Sequence, residues 1–310
     1  MDKSEVLIRE DFINLPSGSP VVGYAYLRGY SEQPTKNGGT FLAGQLECNG
    51  TMPFKVWGGD TLNSMKEISL QDTICHIHAE LNEYAGMKSL IIKDCSPYTG
   101  DELSVMDFLE RKYDGEDMYN RMLKILRNNC SKEAVKVFEM VMNPIKERFK
   151  IEFAAIAHHD ACVSGLVAHT CKVVRVAQII KFYPVLMKGI DPDVLYVGCA
   201  LHDIGKTVEY RNGSITEIGK LMSHLTLGLD LIKPYKQQII ALKGERYYND
   251  LLSVIQQHHG EYGERPRTLA AYMISIIDGL EARLTDINDA TAQATGGMVK
   301  IEGNKLQFHM

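Results

Sequence analysis

The chain has 310 residues, of which 45% are hydrophobic and 24% charged, and this balance excludes a disordered protein. Its length allows one large domain or two ordinary ones. The net charge of -5 argues against a protein that binds nucleic acid through a broad basic face, although a local basic groove stays compatible with it.

The cysteines and the N-terminus bear on the compartment. Seven cysteines are scattered along the chain without a CxxC pair, which argues against a zinc ribbon and favours buried free thiols in a reducing compartment. The first residues, MDKSEVLIREDF, are charged and lack the apolar segment of a signal peptide. No apolar run reaches the roughly 20 residues of a membrane helix. We therefore expect a cytoplasmic protein without a membrane partner.

Residues 1–97 predict a β domain that binds nucleic acid. Five strand-length runs are rich in β-branched and aromatic residues and are separated by Gly, Asn and Pro, at 20–30, 40–48, 52–57, 73–81 and 88–93. With one short helix after Trp57, the pattern favours an OB-like barrel, and a small β-sandwich is the alternative. Most aromatic residues here should fill the core, but those on an open face could stack single-stranded bases. The candidates are Tyr24, Tyr26, Tyr30, Phe41, Phe54 and Trp57.

The chain after Pro97 predicts helices. Apolar residues recur at three- and four-residue spacing in segments 104–111, 116–128, 132–149, 161–181, 192–203, 216–232, 246–258 and 268–287. Pro144 should kink or break the third of these, and Gly303-Asn304 should turn a short hairpin. The expected organisation is therefore the OB-like domain, a helical connector at 98–150, an all-α bundle at 151–290 and a C-terminal hairpin tail at 291–310.

Histidines concentrate in the predicted bundle. Each has a plain explanation when taken singly: His169 could be a core or cap residue, and the His258-His259 pair could end a helix, where a cation complements the dipole. His202-Asp203 precedes Ile204-Gly205, so we expect this pair at a helix C-terminus with Gly205 as the cap. Adjacent side chains can converge on one ion more easily there than in mid-helix.

Asp278 adds a carboxylate to these histidines. It follows an apolar run, Ile-Ser-Ile-Ile, and is costly to bury without a partner such as a metal ion. Imidazole and carboxylate suit Mn, Co, Fe, Ni or Zn, and the lack of cysteine ligands disfavours a closed structural zinc site. The candidate metal ligands are His169, His202, Asp203, His224, His258, His259 and Asp278.

The order His169, His202-Asp203, Asp278 resembles the H…HD…D signature of the HD-domain phosphohydrolase superfamily, over about residues 155–290. The additional histidines resemble the HD subset that holds two metal ions, in which the Asp of HD bridges them. This resemblance implies one ion held by His169, His202, Asp203 and Asp278. It implies a second held by Asp203, His224 and His258, with His259 close by, and leaves open which of the last two is the direct ligand.

A closer resemblance, over nearly the whole chain, is to the YhaM-type 3′-5′ exoribonucleases, which carry an OB-like domain before an HD domain. The motifs that carry it are HHDACVSGLVAHT at 158–170, VLYVGCALHDIGK at 194–206, GKLMSH at 219–224 and HHGEYG at 258–263. The family commonly has Asn, Asp and Lys where this chain has Gly279, Glu281 and Arg283.

The resemblance implies a metal-dependent 3′-5′ exoribonuclease that cleaves single-stranded RNA, and by extension single-stranded DNA, with metal-activated hydroxide. Asp203 and Lys206 are the expected catalytic residues. Lys206 would form an ion pair with a phosphate oxygen of the substrate. His159, Arg265 and Arg267 are candidates for substrate contacts, although an ordinary charged loop explains the two arginines slightly better. The alternatives are an HD phosphohydrolase acting on small nucleotides or cyclic dinucleotides, and a non-catalytic OB-type nucleic-acid-binding protein. A polymer-binding domain would be surplus for a small-nucleotide substrate.

Overall fold

A computed structural model describes residues 5–35, 38–67, 69–156, 160–180, 188–260, 263–293, 298–301 and 306–309. The chain divides into two units, Met1–Arg111 and Lys112–Met310, each with its own hydrophobic core. The first unit extends beyond the predicted limit at residue 97 because the following segment packs back on the barrel. Phe108 is buried with Tyr24 and Tyr26, and its carbonyl accepts a hydrogen bond from Asn49 N at 2.6 Å. The predicted boundaries at residues 150 and 290 stay predictions.

The first unit contains five strands and two short helices. The strands are β1 (Pro20–Pro34), β2 (Thr40–Glu47), β3 (Thr51–Val56), β4 (Thr73–Tyr84) and β5 (Met87–Pro97), and the helices are α1 (Arg9–Phe12) and α2 (Gly59–Glu67).

The five strands form a closed barrel with the strand order β1-β2-β3-β5-β4. The first half of β1 pairs with β4 and the second half with β2, and a β-bulge between Leu27 and Gly29 lets one strand pair with both neighbours. β3 and β5 pair in parallel, and this topology makes the unit an OB-like barrel, as predicted, and not a sandwich.

Strand alternation decides which side chains fill the barrel. On β3, Met52, Phe54 and Val56 are buried inside, while Lys55 lies on the outward side. Trp57 follows the strand and continues the outward row. The barrel core is thus built from every second residue, and the residues between them form its outer surface.

The second unit is helical, apart from two small hairpins. Its helices are α3 (Gly115–Asn129), α4 (Lys132–Met142), α5 (Lys146–Ile151), α6 (Gly165–Ile180), α7 (Pro192–Leu201), α8 (Lys206–Glu209), α9 (Glu217–Leu221), α10 (His224–Ile232), α11 (Lys236–Lys243), α12 (Glu245–Gln257) and α13 (Leu269–Gln293). The hairpins are β6 (Tyr210–Arg211) with β7 (Ser214–Ile215), and β8 (Met298–Ile301) with β9 (Leu306–His309). None of the described helices combines the length and the apolar character needed to cross a bilayer.

Several helix predictions need correction. Pro144 separates α4 from α5, as predicted, but the single helix expected at 216–232 is wrong, because Met222 is extended and separates α9 from α10. α11 was not predicted, since its sequence KQQIIALK buries only Ile239 and shows little periodicity. The predicted C-terminal hairpin is present as β8 and β9, whereas its expected turn, Gly303-Asn304, lies outside the described residues.

α7 runs through the middle of the helical core. Every residue from Asp193 to Leu201 is buried, as expected for a helix that is apolar on all sides. Its own Tyr196 is fully buried, as are Phe138 and Phe149 of the same hydrophobic core. Because the helix is enclosed along its length, the residues at its C-terminus, His202 and Asp203, emerge inside the protein and not at its surface.

Gly205 has a different role from the one predicted. It has a right-handed conformation, with φ -62°, and directly precedes α8, so the prediction that it caps the C-terminus of the helix before it is wrong. Its lack of a side chain matters for another reason. A Cβ at this position would lie 1.9 Å from His224 O and 2.6 Å from Gly228 N. Glycine at 205 therefore lets the start of α10, which contains His224, lie close to the His202-Asp203 pair.

Candidate metal centre

Two histidines of the centre terminate helices. His202 follows α7 and His258 follows α12, and both are fully buried. In each, Nδ1 bonds to the carbonyl three residues earlier: the distances are 2.8 Å to Cys199 O and 3.0 Å to Ile255 O. A carbonyl only accepts, so the proton of each neutral ring is on Nδ1. The Nε2 lone pairs are consequently free to bind a cation.

Two further histidines of the centre are held by carboxylates. His169 lies within α6, and its Nδ1 is 2.6 Å from Glu281 Oε2. His224 begins α10, and its Nδ1 is 3.1 Å from Glu209 Oε2. Hydrogen bonds of this kind orient metal-binding histidines and make them stronger ligands. All four rings therefore present Nε2 to the centre with Nδ1 already bound.

Asp203 lies between two groups of histidines. Its Oδ2 is 3.3 Å from His202 Nε2 and 3.7 Å from His169 Nε2. Its Oδ1 is 3.4 Å from His258 Nε2 and 3.5 Å from His224 Nε2. The two oxygens of one carboxylate thus face different pairs of rings.

The remaining two candidate ligands complete one group each. Asp278 Oδ1 is 3.0 Å from His169 Nε2 and 3.6 Å from His202 Nε2. His259 Nε2 is 3.0 Å from His224 Nε2. The structure therefore brings all seven predicted ligands together in two adjoining clusters. One contains His169, His202 and Asp278, and the other contains Asp203, His224, His258 and His259.

The distances and the unpaired atoms fit bound metal. With metal–ligand bonds of about 2.1 Å, the ligand atoms of one ion lie roughly 3–3.4 Å apart, close to the separations observed here. Among the described residues, three buried atoms of the centre have no hydrogen-bond partner: His202 Nε2, Asp203 Oδ1 and His258 Nε2. Leaving such an atom unpaired costs about 1–3 kcal/mol. One divalent ion in each cluster would satisfy all three.

The pKa values show how unevenly charge is distributed. Burial alone lowers the pKa of His169, but Asp278 and Glu281 outweigh it and raise that pKa to about 9. For Asp203, burial raises the pKa, but Lys206 and His202 outweigh it and hold the pKa well below its usual range. His259 differs, since burial, reinforced by His258 and His224, lowers its pKa to about 4. The carboxylates attract positive charge, whereas His259 is neutral and can act as a ligand near neutral pH.

The predicted substrate residues do not all lie together. Arg265 lines a cavity of about 1130 Å³ that opens beside His258, His259 and Asp278. Arg267 lines a different cavity, of about 640 Å³, with Asp191 and Asp250. Lys206 Nζ forms an ion pair with Asp203 Oδ2 at 2.7 Å, so it is next to the shared carboxylate. His159 lies outside the described residues.

The sequence analysis missed Glu281 and Glu209, the carboxylates that bind the Nδ1 atoms of His169 and His224. It also missed the side chains that hold Glu281 in place. Lys172 Nζ is 3.5 Å from Glu281 Oε1 and 2.9 Å from Asp160 Oδ2. Tyr113 OH donates to Asp160 Oδ1 at 2.7 Å. Glu281 could have been found, because it is three residues after Asp278 on one helix and therefore shares its face. Nothing in the sequence marked Glu209.

Comparison with known proteins identifies the class. Residues 166–283 match the family model described as HD domain, and this segment contains all the candidate ligands. An HD domain that follows an OB-like barrel, with clustered histidine and aspartate ligands, defines a metal-dependent phosphohydrolase.

The relatives extend the similarity to most of the chain. Three are proteins named 3′-5′ exoribonuclease YhaM. Those from Geobacillus sp. (strain WCH70) and Halalkalibacterium halodurans are 25% and 26% identical over 291 residues, which is 90% of this chain and 87% and 88% of theirs. That from Shouchella clausii is 26% identical over 292 residues, 90% of this chain and 89% of its own. One solved structure is that of the Entamoeba histolytica asparaginyl-tRNA synthetase in complex with asparaginyl-adenylate. It is 14% identical in sequence, and the match covers 44% of this chain and 33% of the synthetase chain. Its TM-score of 0.23 is too low to indicate a shared fold.

Proposed function

We propose that this chain is a cytoplasmic 3′-5′ exoribonuclease that shortens single-stranded RNA, and also accepts single-stranded DNA, at a centre of two divalent metal ions. The observation that carries the proposal is the position of Asp203, whose two oxygens face two separate histidine groups. The similarity to the YhaM exoribonucleases over 90% of the chain supports the reaction and the substrate. The seven free cysteines support the reducing compartment.

The ligand assignment follows the two clusters. One ion would be held by His169, His202, Asp203 and Asp278, and the other by Asp203, His224, His258 and His259. Both members of the histidine pair are assigned as ligands, because the Nε2 atoms of both lie within 3.4 Å of another ligand atom of their cluster. The donor set suits Mn, Co, Fe, Ni or Zn. Bound there, the ions supply hydroxide near neutral pH and neutralise phosphoryl oxygens.

We assign the cavity beside the centre to the terminal nucleotide of the strand. Arg265 and Arg283 line it and can pair with phosphate oxygens. Tyr272, Ile276 and Leu280 form an apolar side of the same cavity, and each is more than 40% exposed. A base or sugar placed there covers this surface. Lys206, beside the shared carboxylate, is assigned to an oxygen of the phosphate under attack.

The test is a time course with 5′-labelled single-stranded RNA and Mn²⁺. We expect a ladder that shortens from the 3′ end, and Asp203→Ala should abolish it because one substitution removes a ligand from both proposed ions. Parallel reactions contain a mononucleotide and a cyclic dinucleotide. If phosphate is released from the mononucleotide alone, or if the cyclic dinucleotide alone is linearised, the protein is an enzyme for small nucleotides and not an exonuclease. If the protein binds the strand but does not cleave it with Mn, Co, Fe, Ni or Zn ions, it is a non-catalytic nucleic-acid-binding protein.

A further inference from the structure

Two aromatic side chains stack on the outer surface of the barrel. The β2–β3 register pairs Leu42 with Val56, so Phe41 and Trp57, the next residues outward, are cross-strand neighbours. Their ring centroids are 4.4 Å apart and their planes 21° from parallel. Trp57 is 53% exposed, although burial of so large an apolar side chain would stabilise the fold.

This pair is not part of the barrel core. The core already contains Phe54, and Tyr24 and Tyr26 are buried elsewhere in the unit. Leu42 and Val56, the strand neighbours of the pair, are the residues that point inward. Alternation therefore places Phe41 and Trp57 on the surface, and a large apolar group in that position indicates a binding surface.

Lys55 adds positive charge beside the stacked rings. Its Nζ is 5.6 Å from the Trp57 ring centroid and 5.9 Å from that of Phe41. Because these distances are nearly equal and exceed the 4.4 Å between the rings, the ammonium lies beside the pair and not over the outer face of either ring. Lys55 forms no ion pair with any residue in the described part of the chain.

The space next to Trp57 is open. Gly58 and Gly59 follow it directly, and a Cβ built on either would meet no atom within 4 Å. The indole thus combines an uncovered face, an uncrowded backbone and a cation at its rim. These features match a nucleotide, which has a flat base attached to an anionic phosphate.

We infer that Phe41, Lys55 and Trp57 form a stacking site for one base of a single-stranded nucleic acid, an inference that rests on the proposed function. The base stacks on the outer face of Trp57, Phe41 supports the indole from behind, and Lys55 pairs with the adjoining phosphate. The β2–β3 face is also the surface with which OB-folds bind oligonucleotides. Every base has a π-face, so the site accepts RNA and DNA of any sequence but not a base-paired duplex.

The sole tryptophan of the chain reports on this site directly. The full-length protein is titrated, in excess chelator so that strands stay intact, with oligoadenylate RNA, oligoadenylate DNA and a duplex of equal length. We expect saturable quenching of Trp57 fluorescence by both single strands and none by the duplex. A dye-labelled strand provides an independent affinity by anisotropy. Trp57→Ala should weaken that affinity about tenfold, as expected for the loss of one stacked base.

Further variants separate stacking from a general loss of structure. Trp57→Phe keeps an aromatic face and should retain most of the affinity, and Lys55→Ala should lower the dependence of binding on salt. Val22→Ala is the control, since Val22 is a 51% exposed apolar residue of the same barrel in the part of β1 that pairs with β4 and not with β2. It should bind like the wild type.

Two results would overturn the stacking site: unchanged Trp57 fluorescence when the anisotropy is saturated, or Trp57→Ala binding as tightly as Val22→Ala. Binding is measured without metal and cleavage with Mn²⁺, so the two proposals fail separately. A protein that shortens RNA while its tryptophan stays unresponsive refutes the stacking site alone. A protein whose tryptophan is quenched but which cleaves no strand refutes the nuclease alone.

Discussion

The histidine side chains of the candidate metal centre differ in the group that binds their Nδ1 atom. His202 and His258 rest on main-chain carbonyls, which no substitution removes, whereas His169 and His224 rest on the carboxylates of Glu281 and Glu209. A carboxylate makes its imidazole partner a stronger metal ligand. The two glutamates are therefore the positions at which metal affinity can be changed without removing a ligand.

Glu281→Gln should weaken metal binding without unfolding the protein. We expect the affinity for Mn²⁺ to fall roughly 10–100-fold, as for other losses of a residue that orients a metal ligand. Calorimetric titration measures this, and Glu209→Gln provides the matched change behind His224, in the other cluster. Glu139→Gln, which alters an exposed pair with Arg127, is the control and should bind metal normally. Equal affinities for all three variants would contradict the assigned roles.

Arg265 and Arg267 are two residues apart, yet they line different cavities. Arg265→Ala should lower kcat/KM on single-stranded RNA by roughly tenfold or more, because a charged hydrogen bond contributes about 1.5–3 kcal/mol. Arg267→Ala should stay close to the wild type. Initial rates at several RNA concentrations decide between them, and an equal loss in both variants would show that the separation of the cavities has no functional meaning.

At the scale of elements, a single carboxylate connects three helices. Asp193, in the first turn of α7, accepts hydrogen bonds from Ser131 N and Oγ at the start of α4, at 2.7 and 2.5 Å. Lys243, the last residue of α11, donates to the same side chain. Burial raises the pKa of Asp193, but the bonds from Lys243 and Ser131 outweigh it and lower that pKa below its ordinary value.

Asp193→Asn should reduce the free energy of unfolding of the helical unit by about 1–3 kcal/mol near neutral pH. A lowered folded-state pKa means that the ionised group stabilises the fold above the unfolded pKa of about 3.9 and loses this contribution as the pH falls through the folded value. The difference between wild type and variant should therefore shrink below about pH 4.

Urea unfolding followed by far-ultraviolet circular dichroism measures this difference at each pH. Asp230→Asn is the control, because it alters an exposed Asp–Lys pair and should change stability by less than about 1 kcal/mol. A difference that stays constant down to acid pH would show that the charge of Asp193 is not what joins the helices.

How far the sequence predicts these elements depends on the range of the contacts involved. Alternation and helical spacing are local, so the five strands and most helices could be predicted. Gly205 could not, because its contact is with the backbone of His224 and Gly228, and the motif alone suggested an ordinary helix cap. Glu209 likewise reaches His224 across a small hairpin, a distance along the chain at which no periodicity applies.

At the scale of the whole molecule, the two units have separate hydrophobic cores, and we expect the units to unfold separately. Trp57 fluorescence reports the barrel, while circular dichroism is dominated by the helices of the second unit. Under the proposed ligand assignment Mn²⁺ binds only the folded helical unit, so a free concentration of about 100 times Kd should stabilise that unit by about 2.7 kcal/mol. The fluorescence transition should not move.

Thermal unfolding with Mn²⁺ and with chelator tests this expectation. In Asp203→Ala the metal-dependent shift of the circular dichroism transition should disappear. If both transitions rise together with metal in the wild type, the two units unfold as one, and the barrel depends on the metal centre for its stability.

The placement of His202 and His258 at the ends of α7 and α12 makes the centre sensitive to helix length. One inserted or deleted residue anywhere between Pro192 and Leu201 would turn everything after it by about 100° and shift it by about 1.5 Å. His202 and Asp203 would then leave both clusters together, although the altered residue could be more than two helical turns away. Among descendants of this chain, we therefore expect the number of residues in α7 to change less often than the identity of its side chains.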